Sequence, residues 1–462
     1  MLVGTATADI TPAVGAAMGG YAARTGSARG VASALSCRAV VLDDGATAVG
    51  LVVCDLLFVT RDMSDLARRL VGEAIGWRPE QLMVTATHTH SGPADLTFAQ
   101  DRHYVTRVAG QIAGAVRVAF EGRVEATLKY AESPVSSVSQ NRRHPDGPTE
   151  GLARILVAEP VDGSSEGQIL ATLVNYACHA TILEHDNLQY SPDFPGAVVE
   201  VVEHVVGGRA VYLQGCAGDI NPLWMRHDLA EVRRIGSIVG TAAARAVCEA
   251  QPLGSGQWAI NLSWFEDTEK EAVGGRAVAG GPVRIASPTV ALARRSRAPV
   301  EGLESDLRQV EVELEAAGAD VDRRRALSAR LATLQMEVFF ARRPDPYAGR
   351  DGRQPGPGSG LEAVEVQVLR LDEQTAVVGL PGEPFVDIAA AIRRRAGLAN
   401  LIVAGYANQA VGYLPVASAF PEGGYEVGCA RFEPDAAERL VDAAVGALAA
   451  TSEGGGYSLP AS

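Results

Sequence analysis

Nowhere in this 462-residue chain does an apolar stretch reach the ~18–20 residues that a membrane span needs. Positive charge is scarce as well. Lys and Arg number 41 against 55 Asp and Glu, a formal net charge of −14. Nucleic acid and anionic membranes attract cations, so nonspecific binding to either is disfavoured. The six cysteines (37, 54, 178, 216, 248 and 429) form no CxxC and no dense framework, and several lie inside apolar runs. That pattern predicts buried free thiols in a reducing compartment. The amino terminus, Met1-Leu-Val-Gly-Thr-Ala-Thr-Ala-Asp, lacks a basic region followed by a hydrophobic core, so no secretory signal is predicted. Internal repeats are absent. The expectation is a cytoplasmic protein with no nucleic acid partner and no stable membrane association, with a homo-oligomer left open.

What the chain does have is apolar material. A hydrophobic fraction of 47% and a mean hydropathy of +0.07 suffice for a large core. The first half alternates strand and helix signals. Val49 to Leu57 is nearly all apolar, as in a strand covered on both faces. Arg61 to Gly76 has helical spacing and ends at a glycine, a common helix stop. Gln81 to Thr87 reads as the next strand, which completes a βαβ unit with a parallel pair. Further helices are predicted over Tyr104 to Phe120 and Phe194 to Val206, with strands over Gln168 to Tyr176 and Ala210 to Leu213. Between about 300 and 343 two amphipathic helices joined near Gly318 form a predicted hairpin. A lid or a dimer contact would fit it, but surface decoration is the favoured reading. Arg350 to Gly360 reads as a flexible loop. Val364 to Leu371, Thr375 to Leu380 and Ile402 to Ala404 follow as strands, and Glu438 to Leu448 as a closing helix. The expected fold is α/β: mostly parallel or mixed layered sheets flanked by helices, one domain over 1–451, a loop at 349–360 and a disordered tail at 452–462.

The chemistry clusters just past apolar runs. Thr87-His88-Thr89-His90-Ser91-Gly92-Pro93 follows Leu82-Met83-Val84. Side chains at i and i+2 of an extended segment point the same way, so both imidazoles should share one cavity. One ring could bind a metal while the other moves protons. His179 follows a strand ending near Val174, Asp219 follows Leu213, Glu383 follows Leu380, and Tyr413 and Tyr425 come after Ala404. In open α/β sheets ligands bind beyond the carboxyl ends of strands. These ends therefore describe one plausible site.

Six segments in order resemble the catalytic domain of neutral ceramidases, zinc amidases that split ceramide. They are Asp9-Ile-Thr-Pro with Gly20-Tyr21, Ala86-Thr-His-Thr-His-Ser-Gly-Pro93, Asn175-Tyr-Ala-Cys-His-Ala-Thr181, Gly218-Asp-Ile-Asn-Pro222, Leu380-Pro-Gly-Glu-Pro384, and Gly412-Tyr413 with Tyr425-Glu426. The resemblance implies Zn2+ held by His88, His179, Glu383 and Tyr413, a donor set that zinc accepts. It implies His90 as the proton-transfer residue, with Arg142 and Tyr425 stabilising the oxyanion. Arg143 competes with Arg142, and one of the two is expected to face solvent. Asp219 is either a second proton donor or an acceptor that orients a ligand ring. Asn221 replaces the family's serine at a substrate-binding position, so a hydroxyl grip on a sphingoid alcohol is lost. The expectation is a zinc-dependent amidohydrolase of a small linear or N-acyl amide. Ceramide hydrolysis proper, a non-catalytic zinc-binding descendant and a cysteine hydrolase using Cys216 are the alternatives.

Overall fold

A computed structural model describes residues 1–94, 101–161, 168–250, 276–278, 281–318, 320–342 and 360–452. The loop expected at 349–360 (all but its last residue) and the tail expected from 452 (all but its first) lie outside the described residues.

Alternation along the strands builds two stacked sheets. The larger has nine strands, eight of them in the order Arg209–Gln214, Ala171–Tyr176, Leu152–Pro160, Val124–Pro134, Leu2–Asp9, Ser36–Asp43, Ala48–Cys54 and Leu82–Ala86. Among the described residues two of its pairings are parallel, Ala48–Cys54 with Leu82–Ala86 and Ala171–Tyr176 with Arg209–Gln214. The sheet is therefore mixed, and the parallel reading holds at the ends that reach the site. In Ala48–Cys54, Val52 turns to one apolar core while Leu51 and Val53 turn to the other. Successive side chains on a strand face opposite sides, so each face must be covered.

Four helices cover the first face: α1 (Arg61–Ile75), α2 (Arg102–Glu121), α3 (Phe194–Val206) and α4 (Leu229–Ala250). α1 starts at Thr60, whose hydroxyl accepts from the Met63 N–H, and stops at left-handed Gly76. The second face packs on a four-stranded sheet, Arg284–Ala286, Gln367–Arg370, Thr375–Gly379 and Asn400–Ala404, through Val283, Leu369, Val377 and Ile402. Two further helices, α5 (Val300–Ala316) and α6 (Val321–Ala341), form the expected hairpin around a small core of Leu303, Val310, Leu327, Leu334 and Val338. Then come α7 (Val386–Ala396), the short α8 (Tyr425–Cys429) and α9 (Ala436–Ala450). α7 and α9 close the outer face of the second sheet through Ile388, Ile392, Leu440 and Ala444. The order of layers is helix, sheet, sheet, helix. Among the described residues no helix is long and apolar enough to cross a membrane.

The hairpin is not surface decoration. α6 docks on α8: Gly424 N–H donates to the Ala329 carbonyl at 3.1 Å and to Thr333 Oγ1 at 2.6 Å. A Cβ on Gly428 would lie 2.6 Å from the Thr333 carbonyl oxygen, so only glycine permits this approach.

Candidate active site

The expected strand ends do converge. His88 and His90 follow Leu82–Ala86, His179 follows Ala171–Tyr176, and Glu383 opens the short strand Glu383–Pro384 after Thr375–Gly379, paired with Tyr413–Leu414. The route at the first pair differs from the expectation. The strand ends at Ala86, and His88 adopts a left-handed backbone with φ 62°. This turn, rather than an extended i and i+2 register, brings the rings to 4.8 Å between centroids. The left-handed conformation costs an L-residue ~1–2 kcal/mol, so neighbouring contacts must hold it.

Those contacts orient the ring. His88 Nδ1 lies 2.9 Å from the Leu57 carbonyl oxygen, and His179 Nδ1 lies 2.6 Å from that of Ala217. A carbonyl only accepts, so each Nδ1 carries the proton and each Nε2 offers a lone pair. Both Nε2 atoms are 3.3 Å from Glu383 Oε2, which is buried and has no hydrogen-bond partner. The ring nitrogens of His88, His90 and His179 lie within 4.8 Å of one another, with His90 Nε2 3.2 Å from His88 Nε2. Tyr413 Oη adds a second oxygen, 3.4 Å from His179 Nε2.

Electrostatics set the protonation states. Burial, assisted by the Arg142 charge, lowers His179 to about 4. Burial, with His88 and His179 alongside, also pushes His90 well down. Burial would raise Glu383, but the imidazoles beside it hold it below the usual carboxylate range. Burial raises Tyr413 well above an ordinary phenol despite the Arg142 charge beside it, so it keeps its proton in the absence of a metal ion. With each Nδ1 engaged by a carbonyl, the Nε2 atoms of His88 and His179 and the Glu383 carboxylate face one another. That donor set fits zinc, which accepts imidazole and carboxylate.

Arg142 is tied on three sides: Nε donates to Glu426 Oε1 at 2.6 Å, Nη2 to Tyr413 Oη at 3.1 Å, and Nη1 to Asn221 Oδ1 at 3.3 Å. Arg143 does not face solvent. It is 9% exposed and bridges Glu426 at 2.8 Å and Glu422 at 3.0 Å. Glu426 is the site residue that the motifs did not single out, although it adjoins Tyr425 in sequence. Asp219 does not orient a ligand ring, because backbone carbonyls do that. Its oxygens accept from Asn141 Nδ2 at 2.8 Å and Val386 N–H at 2.9 Å, and burial raises it to about 6. Tyr425 is half-exposed, its ring 5.7 Å from that of Tyr413. Cys216 is buried, and burial pushes its thiol far up, so the thiolate that a cysteine hydrolase needs is suppressed.

The cavity over the cluster has a volume of about 110 Å³ and is lined by Leu57, Phe58, Met336, Phe339 and Phe340 beside His88, His90, Glu383, Tyr413 and Tyr425. Three of those apolar residues come from α6, which sequence periodicity could not aim at the site. A Cβ on Gly20, which has φ +98°, would lie 2.8 to 2.9 Å from Cα, Cβ and Cγ of His90.

Residues 1–142 match the family model "Neutral/alkaline non-lysosomal ceramidase, N-terminal". No curated protein matches the chain in sequence. Among solved structures, neutral ceramidase from Pseudomonas aeruginosa superposes over 100% of this chain and 76% of its own, with a TM-score of 0.73 and 17% identity. A structure described as ceramidase complexed with C2 superposes over 97% of this chain and 75% of its own, with a TM-score of 0.70 and 18% identity.

Proposed function

We propose, from the premise that this chain belongs to the neutral/alkaline ceramidase-like superfamily, that it is a zinc-dependent amidohydrolase of a linear or N-acyl amide. The observation that carries the reading is the pair of Nε2 lone pairs fixed by backbone carbonyls and facing the unpartnered Glu383 oxygen. His88, His179, Glu383 and Tyr413 would hold the metal. Zinc bound there would supply Lewis acidity and bring the pKa of water to about 7.

The chain's own groups account for the proton and the charge. Water adds to the amide carbonyl carbon, the C–N bond breaks, and the products are a carboxylate and a protonated amine. His90, the buried base beside the cluster, takes the proton of the attacking water and delivers it to the leaving nitrogen. Asp219 is not needed for that transfer, since both its oxygens are engaged elsewhere. Arg142 and Tyr425 stabilise the carbonyl oxygen as it gains charge, and Asn221 steadies Arg142 on the substrate side. Six free cysteines suit a cytoplasmic setting.

Metal analysis tests the assignment. Protein purified without added metal should carry close to one equivalent of zinc and lose amidase activity on chelation. His88→Ala should lose the metal, whereas His90→Ala should keep it and lose rate. Full activity after chelation would overturn the reading. Stoichiometric zinc without hydrolysis across a broad amide panel would favour a non-catalytic descendant instead.

A further inference from the structure

We propose that the far side of Tyr425 is an anion-recognition subsite, so that the preferred substrate joins a short acyl group to an amine carrying a carboxylate. The proposal rests on the amide-hydrolase reading and adds the substrate class.

Two cavities meet at Tyr425, and they differ in kind. The cavity over the histidines is small, about 110 Å³, with phenyl and thioether side chains from α6 on its wall. That is below the ~300–1,000 Å³ of pockets that enclose drug-sized ligands. It suits a short acyl chain and leaves little room for a long one. The neighbouring cavity, about 710 Å³, lies within that range and has charged side chains in its wall. Arg142, Arg143, His144 and Arg325 line it, opposed by Glu422 and Glu426.

Both carboxylates are already spoken for. Glu426 accepts from Arg142 and Arg143, and Glu422 from Arg143 and His144 at 2.9 Å. Three guanidiniums against two carboxylates leave one positive charge over, within a chain of net charge −14. Arg325 on α6 carries it. This residue is exposed, and its Nη2 donates to the Arg143 carbonyl at 3.3 Å. A guanidinium has five N–H donors and matches a carboxylate edge. Tyr425 would then mark where the amide crosses from the apolar cavity to the cationic one.

The test uses amides that differ in one group at a time. N-butyrylglycine and N-butyrylglycinamide share an acyl chain and differ in the charge on the amine side. The zinc-loaded protein should favour the anionic member by about tenfold or more in kcat/KM, as one charge-assisted contact allows. Arg325→Glu should remove that preference, chiefly by raising KM for N-butyrylglycine. N-palmitoylglycine should be the poorer substrate of the two acyl lengths, and the reverse order would overturn the acyl half of the proposal. Equal kcat/KM for both butyryl amides, or a preference that Arg325→Glu leaves in place, would overturn the subsite. Calorimetry on the His90→Ala protein separates the two readings. Charge-selective binding of N-butyrylglycine without turnover by the native protein would uphold the subsite and sink the amidase. Hydrolysis of both amides with no charge selectivity would do the opposite.

Discussion

Glu426 sits between two arginines in a place where water can replace neither. Its side chain is 5% exposed, Arg142 Nε lies at 2.6 Å and Arg143 Nη1 at 2.8 Å. Glu426→Gln keeps the shape but removes the charge and turns one acceptor into a donor facing a guanidinium. Breaking a buried pair by deleting one partner costs ~3–5 kcal/mol, because the other charge stays buried. Arg143 keeps Glu422, and Arg142 keeps Tyr413 and Asn221, so the lower end, about 3 kcal/mol, is expected. Urea denaturation should show a lower midpoint at unchanged slope, the signature of a stability change alone. Catalysis reports separately. Arg142 loses its shortest anchor, and losing an oxyanion donor typically costs ~10²–10³ in kcat. Because Glu426 touches no proposed metal ligand directly, zinc content should stay at the native level. A variant within about 1 kcal/mol of native stability and about threefold of native kcat would refute the argument that Glu426 positions Arg142.

Two other sites give independent checks. Asp193, buried at the start of α3 with its oxygens on the Leu183 and Phe194 amides, is raised by burial from 3.8 to about 6. The folded state holds this proton more tightly than the unfolded chain, so the contribution is full below pH 3.8 and lost as pH rises to about 6. The stability of the native protein relative to Asp193→Asn should therefore fall by about 3 kcal/mol between pH 3.5 and 7, and a flat difference would count against the burial argument. Gly20→Ala should keep zinc and fold but push His90 aside, with kcat falling by about 10² as misplaced groups commonly do. Native turnover in that variant would show that His90 tolerates displacement.

The strands that carry the site are the easiest to read, because Leu82–Ala86, Ala171–Tyr176 and Thr375–Gly379 are buried on both faces and so are largely apolar. Leu2–Asp9 and Val124–Pro134 mix buried and exposed positions and gave no comparable run, which is why the antiparallel body of the large sheet escaped notice. His88 and His90 were placed together correctly for the wrong local reason, since a left-handed turn at a histidine leaves no trace in composition. The carbonyls of Leu57 and Ala217 could not be foreseen at all: every residue has one, and only the fold selects which faces a ring. For the hairpin, periodicity reported that one face of α6 is buried but not what buries it. Tyr413 and Tyr425 carry their place in neighbouring glycines, whereas Glu426 earns its role through two arginines nearly three hundred residues away.

That hairpin has an independent footing. Its own leucines and valines close a separate small core, while the imidazoles hang from strand ends of the nine-stranded sheet. Met336, Phe339, Phe340 and Arg325 can therefore vary without disturbing the bonds that orient His88 and His179. The hairpin's two faces thus carry different constraints: the side chains of α6 that line the cavity can change to suit another ligand, whereas Ala329 and Thr333, which hold Gly424 beside Tyr425, cannot.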